Sequence, residues 1–331
     1  MDLKTNYLGT TLPHPIIAGA SPLGSEVDTV RQLEDAGIAA IVLPSLFEEQ
    51  IIDHQIGWEK YVCGYSNGFG GSVSSASKVD EKLVAPEDYL EHIQRLKSSV
   101  NIPLIASLNG IHPGGWEEYA EQFEEAGADA IELNLYVPPR DQHESASQLE
   151  KRMLEIIQSV REATTLHVAV KLTPAYTSLN HFAQRAHKAG ADALVVFNRY
   201  YLPDFDVNNL TVEPKLTLSN SHELLLRLHT LTMLHGRLPI ELALTGGAHT
   251  AKDILKGILA GADCIQLVSA ILKHGVGIIP KLLQDLCELM EELDYESIQH
   301  IKGSMSTQHV ADPAAIERAN YINIIRSSWN G

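Results

Sequence analysis

Four stretches of this chain are variations on one another: EDAGIAAIVLPS (34–45), EEAGADAIELNL (124–135), HKAGADALVVFN (187–198) and ILAGADCIQLVS (258–269). Each closes a helical pattern at Ala-Gly, turns at once, and enters an apolar, largely uncharged run. Glycine suits the left-handed residue that ends a helix. The run after it is what a parallel strand buried on both faces requires. The repeat glycines, Gly37, Gly127, Gly190 and Gly261, are 90, 63 and 71 residues apart. A βα unit of a barrel takes roughly 30–35 residues, so the two shorter intervals each hold two units. Further strand candidates fall between the repeats, in PLIASLN (103–109), HVAVKLT (167–173) and PIELALTGG (239–247), and PIIAGAS (15–21) precedes the first. Eight strands alternating with helices predict an α/β fold of the (β/α)8 type.

The longest interval carries a surplus, which predicts an extended loop after strand 2. A second insertion, 199–221, follows strand 6. Both belong to the C-terminal face of a barrel, where active sites lie. The tail, 290–331, shows two helical patterns split near Gly303, with no linker before it, so residues 1–331 read as a single domain.

The chain has 331 residues, 44% hydrophobic, enough for a barrel core. Its formal net charge of -17 repels phosphate backbones and argues against nucleic acid as a partner. Cys63, Cys264 and Cys287 are too far apart in sequence to form a C-x-x-C pair, and the histidines show no H-E-x-x-H or H-x-x-E-H spacing. No metal site is therefore expected. The longest apolar stretch is about twelve residues and contains Pro44, short of the roughly 20 needed to span a bilayer. With no signal-peptide pattern at the start, the sequence predicts a soluble, cytoplasmic protein without a membrane partner.

Polar residues late in barrel strands point toward the site. Strand 1 ends at Gly19-Ala20-Ser21, strand 2 at Ser45 and strand 3 at Asn109-Gly110. Strand 4 carries Asn134, strand 5 Lys171 and strand 6 Asn198, while strands 7 and 8 end at Thr245-Gly246-Gly247 and Val268-Ser269. Glycines let a backbone approach a ligand, and the loops after strands 7 and 8 are the usual phosphate site of this fold. A lysine inside the apolar run HVAVKLT is costly without a partner. Flanked by two strand-borne asparagines, it suits a planar, hydrogen-bonding ligand.

In these segments the chain resembles the dihydroorotate dehydrogenase family of FMN barrels. The likeness rests on NYLGTTLPHPIIAGAS, ELNL, VAVKLTP, VVFN, LTGGAHTAKD and GADCIQLVSAI, in that order over nearly the whole length. It implies an FMN-dependent oxidoreductase acting on CH–CH groups, with hydride passing between a small organic substrate and flavin N5. Gly19, Ala20 and Ser21 would line the flavin, with Ser45 nearby. Lys171 would face its N1/C2-carbonyl side, where a positive charge stabilises the reduced anion. Asn134 and Asn198 would bond the flavin edge or the substrate, and Gly246, Gly247, Val268 and Ser269 would hold the phosphate beside Thr245. A homodimer is the family's habit, and a redox partner subunit is compatible with it.

The substrate half departs from the family pattern. Where the family reads roughly N-x-S-C-P-N, with cysteine or serine as base, this chain reads Asn134-Leu135-Tyr136-Val137-Pro138-Pro139. Val137 takes the base position and cannot accept a proton. Pro139 replaces a substrate-binding asparagine, Pro44 replaces a family lysine, and LSNSHELL replaces a G-G-x-S-G segment. Tyr136, Asp141 and His143 are the loop residues left to serve as a base. Dihydroorotate is thus a doubtful substrate. A flavin-binding electron-transfer or regulatory subunit is one alternative, and a Schiff-base lysine enzyme built on Lys171 is another.

Overall fold

The computed structural model describes residues 1–51, 86–110, 116–137, 142–199, 203–213, 215–316 and 320–328. The expected loop after strand 2 falls almost wholly in 52–85, outside the described residues, as do Cys63, Pro138, Pro139 and Asp141.

Eight strands close into an all-parallel barrel: β3 (Ile16–Ala18), β4 (Ile41–Phe47), β5 (Leu104–Asn109), β6 (Ala130–Asn134), β7 (His167–Leu172), β8 (Ala193–Val196), β11 (Glu241–Thr245) and β12 (Cys264–Leu267). They are the eight strands expected, each in its place. All four repeat glycines lie in the left-handed region, with φ of +89° (Gly37), +97° (Gly127), +109° (Gly190) and +115° (Gly261). Only glycine enters that region without a steric cost, which is why this residue punctuates every repeat. β3, β5 and β6 are buried at every position, as sheets covered by helices on the outside and packed within must be.

Side chains alternate across a strand, so every second residue enters the barrel. Toward the N-terminal ends these are Ile17, Val42, Ile105, Ala130, Ala169, Ala193, Val195, Ala243 and Cys264, one apolar cluster. Alanines alone would leave the interior empty. The space is filled by Tyr7, Leu8 and Leu12 of an N-terminal hairpin, β1 (Thr5–Tyr7) with β2 (Thr10–Leu12), which caps that mouth. The next inward positions along the same strands are Ser107, Glu132, Lys171, Thr245 and Gln266, followed by Asn109 and Asn134. The interior therefore passes from apolar to polar along its axis, and the polar end is the C-terminal mouth.

Ser45 does not end its strand. β4 continues to Phe47, and its register against β5 shifts between Val42 and Ser45. Pro44 lies in that interval and has no N–H for the ladder, so the strand bulges around it. The insertion after strand 6 contains a second hairpin, β9 (Asp204–Asp206) with β10 (Thr211–Glu213), which the sequence did not announce. The tail forms a helix Ile298–Ile301, a 3-10 turn Pro313–Ala315 and a helix Asn320–Ser328. Gly303 N–H donates to the Ile258 carbonyl at 3.0 Å and Met305 N–H to Leu259 at 2.9 Å, so the tail's first part packs on the helix Ala251–Ala260.

Candidate active site

Three strands contribute a closed ring of polar side chains below the C-terminal mouth. The Lys171 ammonium on β7 donates to Oε1 of Glu132 on β6 at 3.0 Å and to Oε1 of Gln266 on β12 at 3.2 Å. Gln266 Nε2 in turn donates to the other oxygen of Glu132. Lys171 is 6% exposed and Glu132 1%, so this is a buried ion pair and not a lysine reaching for solvent. Such a pair offsets its desolvation only when the remaining lone pairs and protons are also satisfied. Gln266 satisfies the second Lys171 N–H and the second Glu132 oxygen, and the third N–H is left over. Sequence reasoning found Lys171 but missed Glu132 and Gln266. The signal was present, since a glutamate in AIELN is as costly in an apolar strand as a lysine in HVAVKL.

Above the ring, Asn198 Nδ2 donates to Asn134 Oδ1 at 3.0 Å, which brings the two expected asparagines together. Asn198 lies two residues beyond the end of β8 and is held by its own N–H on the Leu172 carbonyl at 2.8 Å. Asn109 is buried, and among the described residues its side chain has no hydrogen-bond partner. Ser45 and Ser107 share a hydroxyl–hydroxyl bond of 2.7 Å on the adjoining strands. Across the barrel, Gly19 follows β3 so closely packed that a Cβ there would stand 2.9 Å from Val268 Cγ2 and 3.2 Å from Gln266 Cβ. Ser21 donates to the Gly19 carbonyl at 3.1 Å and closes that turn, and Ala20 packs on the barrel interior.

The glycine turn after β11 has φ of +82° at Gly246 and +88° at Gly247. Gly247 N–H donates to Ser219 Oγ at 3.2 Å, Ser219 N–H donates to Ser269 Oγ at 3.0 Å, and Ser219 Oγ lies 3.2 Å from His249 Nε2. The segment that lacks the expected glycines is thus tied through Ser219 to both halves of the strand 7 and 8 cradle. Arg227, on the helix Leu224–Leu234, is buried beside it and donates to the carbonyls of Glu223 at 2.7 Å, Phe197 at 3.4 Å and Thr245. Burial lowers the guanidinium's pKa, and Glu223 nearby opposes that shift. Ser219 and Arg227 were not anticipated, although an arginine within LLLRLH carries the same mark as Lys171.

Of the proton acceptors considered on the strand 4 loop, Tyr136 is half-buried and His143 is exposed, with Nε2 3.3 Å from Gln142 Nε2. Val137, at 8% exposure, packs in the main core. Among the described residues no helix is long and apolar enough to cross a membrane.

A closed parallel barrel whose polar groups gather at the C-terminal mouth, with glycine turns after its last two strands, has the architecture of a barrel enzyme. Fold alone does not name a reaction. Residues 76–290, well over half of the chain, match the family described as Dihydroorotate dehydrogenase. The chain belongs to that family and is an oxidoreductase acting on CH–CH groups.

Among curated relatives, the NAD-dependent dihydropyrimidine dehydrogenase subunit PreA of Escherichia coli K12 is 24% identical over 319 residues, 91% of this chain and 76% of the relative. The catalytic subunit of dihydroorotate dehydrogenase B (NAD(+)) from Pyrococcus furiosus is 24% identical, covering 92% and 98%. The same subunit from Methanosarcina acetivorans is 26% identical, covering 90% and 94%.

Proposed function

We propose that the chain binds FMN at the C-terminal mouth and moves a hydride between flavin N5 and a small organic substrate other than dihydroorotate. The observation that carries this is the ring of Lys171, Glu132 and Gln266 set directly beneath the amides of Asn109, Asn134 and Asn198. It joins a buried cation to neutral donors and acceptors that the protein leaves partly unengaged, which fits a planar heterocycle with alternating polar edge atoms. The close approach at Gly19 and the two left-handed glycines at 246 and 247 fit a cofactor that needs bare backbone beside it.

In this reading FMN supplies the hydride-accepting and hydride-donating centre. Gly19, Ala20 and Ser21, with Ser45 adjoining, line one edge. The third N–H of Lys171 addresses the N1/C2-carbonyl side, and Asn134 and Asn198 address the polar edge or the substrate above it. Gly246, Gly247, Val268 and Ser269 hold the phosphate, with Thr245 anchoring the turn through Arg227 and with Ser219 and His249 adjacent. Anion binding there draws on backbone N–H groups more than on basic side chains.

Val137 accounts for the exclusion of dihydroorotate. A buried valine at the base position takes no proton, so the substrate is one whose oxidation or reduction needs no strong base at that place. Tyr136 and His143 are the described loop residues that could exchange a proton with it. Because the relatives include proteins named as subunits of NAD-dependent dehydrogenases, a separate redox subunit belongs to this reading, as does a cytoplasmic setting.

The test is the visible spectrum of the purified protein, followed by anaerobic addition of dihydroorotate and then dithionite. Flavin bands that persist with dihydroorotate and bleach with dithionite support the proposal. Bleaching by dihydroorotate overturns the substrate exclusion. A colourless protein that FMN cannot restore overturns the cofactor assignment.

A further inference from the structure

Lys171 has three N–H donors, and two of them point at protein acceptors: Glu132 Oε1 at 3.0 Å and Gln266 Oε1 at 3.2 Å. The carboxylate that accepts one of them is itself pinned by Gln266 Nε2. The three side chains come from the neighbouring strands β6 and β7 and from β12 opposite them, so the ring ties the two sides of the barrel together. Gln266 also stands against Gly19, where an added Cβ would lie 3.3 Å from its Oε1. The ring is thus in contact with the backbone proposed to line the cofactor.

We infer that Glu132 is a positioning residue that fixes the Lys171 ammonium and cancels its charge, so that the pair offers the cofactor one directed N–H and not a net cation. This rests on the FMN reading above and deepens it. A bare ammonium in that interior would act on everything near it at low dielectric. Paired at 3.0 Å with a carboxylate that is 1% exposed, it becomes a dipole whose field falls off much faster. The consequence is a bound flavin less biased toward its reduced anion than an isolated lysine would make it. Such a flavin returns electrons readily to an acceptor, as an enzyme working with a separate redox subunit requires.

The experiment measures the two-electron midpoint potential of bound FMN in the holoenzyme and in two variants, Glu132→Gln and the double variant Glu132→Gln/Lys171→Met. Removing only the carboxylate leaves the ammonium uncompensated. The ratio of reduced to oxidised flavin at a fixed potential should then rise about tenfold or more, an upward shift of about 30 mV or more. Removing both charges also removes the directed N–H, so that ratio should fall, but by less than about tenfold, the worth of one hydrogen bond. A Glu132→Gln potential equal to or below that of the unaltered protein overturns the inference.

A double variant whose ratio falls by more than about tenfold also overturns it, because that loss exceeds one hydrogen bond and Lys171 would then be acting as a net cation. If Glu132→Gln does not fold, the double variant decides between these outcomes, since exchanging a whole buried pair for neutral groups is tolerated better than breaking it. Failure of the underlying reading looks different: the unaltered protein then holds no flavin, and the inference falls with it.

Discussion

Asn198 donates its side-chain amide to Asn134 across the mouth of the barrel, at 3.0 Å, from a loop to the end of a strand. One residue comes after β8 and the other closes β6, so the bond spans the strand β7 that carries Lys171. It fixes the orientation of both amides, and with it which face presents N–H and which presents oxygen.

Breaking that bond should therefore be felt twice. Asn198→Ala strips Asn134 Oδ1 of its donor in a buried place, at a cost of about 1–3 kcal/mol. It also removes one amide from the proposed cofactor edge. The expected result is a lower urea midpoint together with FMN affinity weakened about tenfold, read by equilibrium fluorescence of the free flavin. Unchanged affinity would place Asn198 outside the flavin contacts.

Lys171→Met alone should destabilise the fold more than the double variant Glu132→Gln/Lys171→Met does. The single change leaves Glu132 buried without its cation, and breaking a buried pair costs about 3–5 kcal/mol. The double change leaves neutral groups of similar size and should recover much of that loss. Urea unfolding of the two proteins side by side checks the order, and equal stabilities would mean that the pair contributes nothing.

Two glycines of positive φ separate conformational strain from steric exclusion. A Cβ on Gly247 would stand 2.7 Å from the Leu224 nitrogen and 3.0 Å from its Cα, both backbone atoms. At Gly275, with φ of +76°, an added Cβ would have no atom of the described residues within 4 Å beyond its chain neighbours. Gly275→Ala should cost about 1–3 kcal/mol, the penalty of the dihedrals alone, since ψ of 174° sets it in an extended positive-φ region essentially reserved for glycine. Gly247→Ala should cost clearly more and displace the turn that is proposed to hold the phosphate. Comparison of their thermal midpoints, with FMN retention on gel filtration, tests both statements.

Stability should fall as the solution is acidified below about pH 6.5, and His14 is a defined contributor. Its Nε2 lies 2.7 Å from the Gly37 carbonyl, which requires a donor, and its Nδ1 accepts the Ile16 N–H at 3.3 Å. Both contacts are met only by the neutral ring. Burial lowers its pKa, against a smaller opposing effect of the Gly37 carbonyl. The unfolded chain, with the ordinary value near 6.5, takes up the proton first. The stabilisation is therefore full above that pH and is lost as pH falls toward the lowered value of the folded state. His235 and His249 are shifted the same way, by burial first. In His14→Phe, urea midpoints measured at pH 7.5 and 5.5 should both drop, while the gap between them narrows.

The order of eight strands was written in the sequence because glycine has a physical monopoly on the left-handed helix end, and four such ends recur before four apolar runs. Lys171, Asn134 and Asn198 were legible for a related reason: a polar residue in a buried strand is too costly to be idle. The same reasoning applied to Glu132 and Gln266 but could not by itself pair them with Lys171. Sequence spacing says nothing of which strands face one another across a closed barrel. Only closure places β6, β7 and β12 within 3.2 Å of one another at their side-chain tips. The bulge at Pro44 moved Ser45 into mid-strand, because a missing N–H acts through the neighbouring strand's register. The hairpin carrying Tyr7 was invisible as a plug, since its role depends on alanines 130, 169, 193 and 243 leaving room in the interior. The sequence alone determined the fold and the polar residues that it must accommodate. Tertiary structure decided their partners, because charge compensation in a barrel is settled between strands distant in sequence.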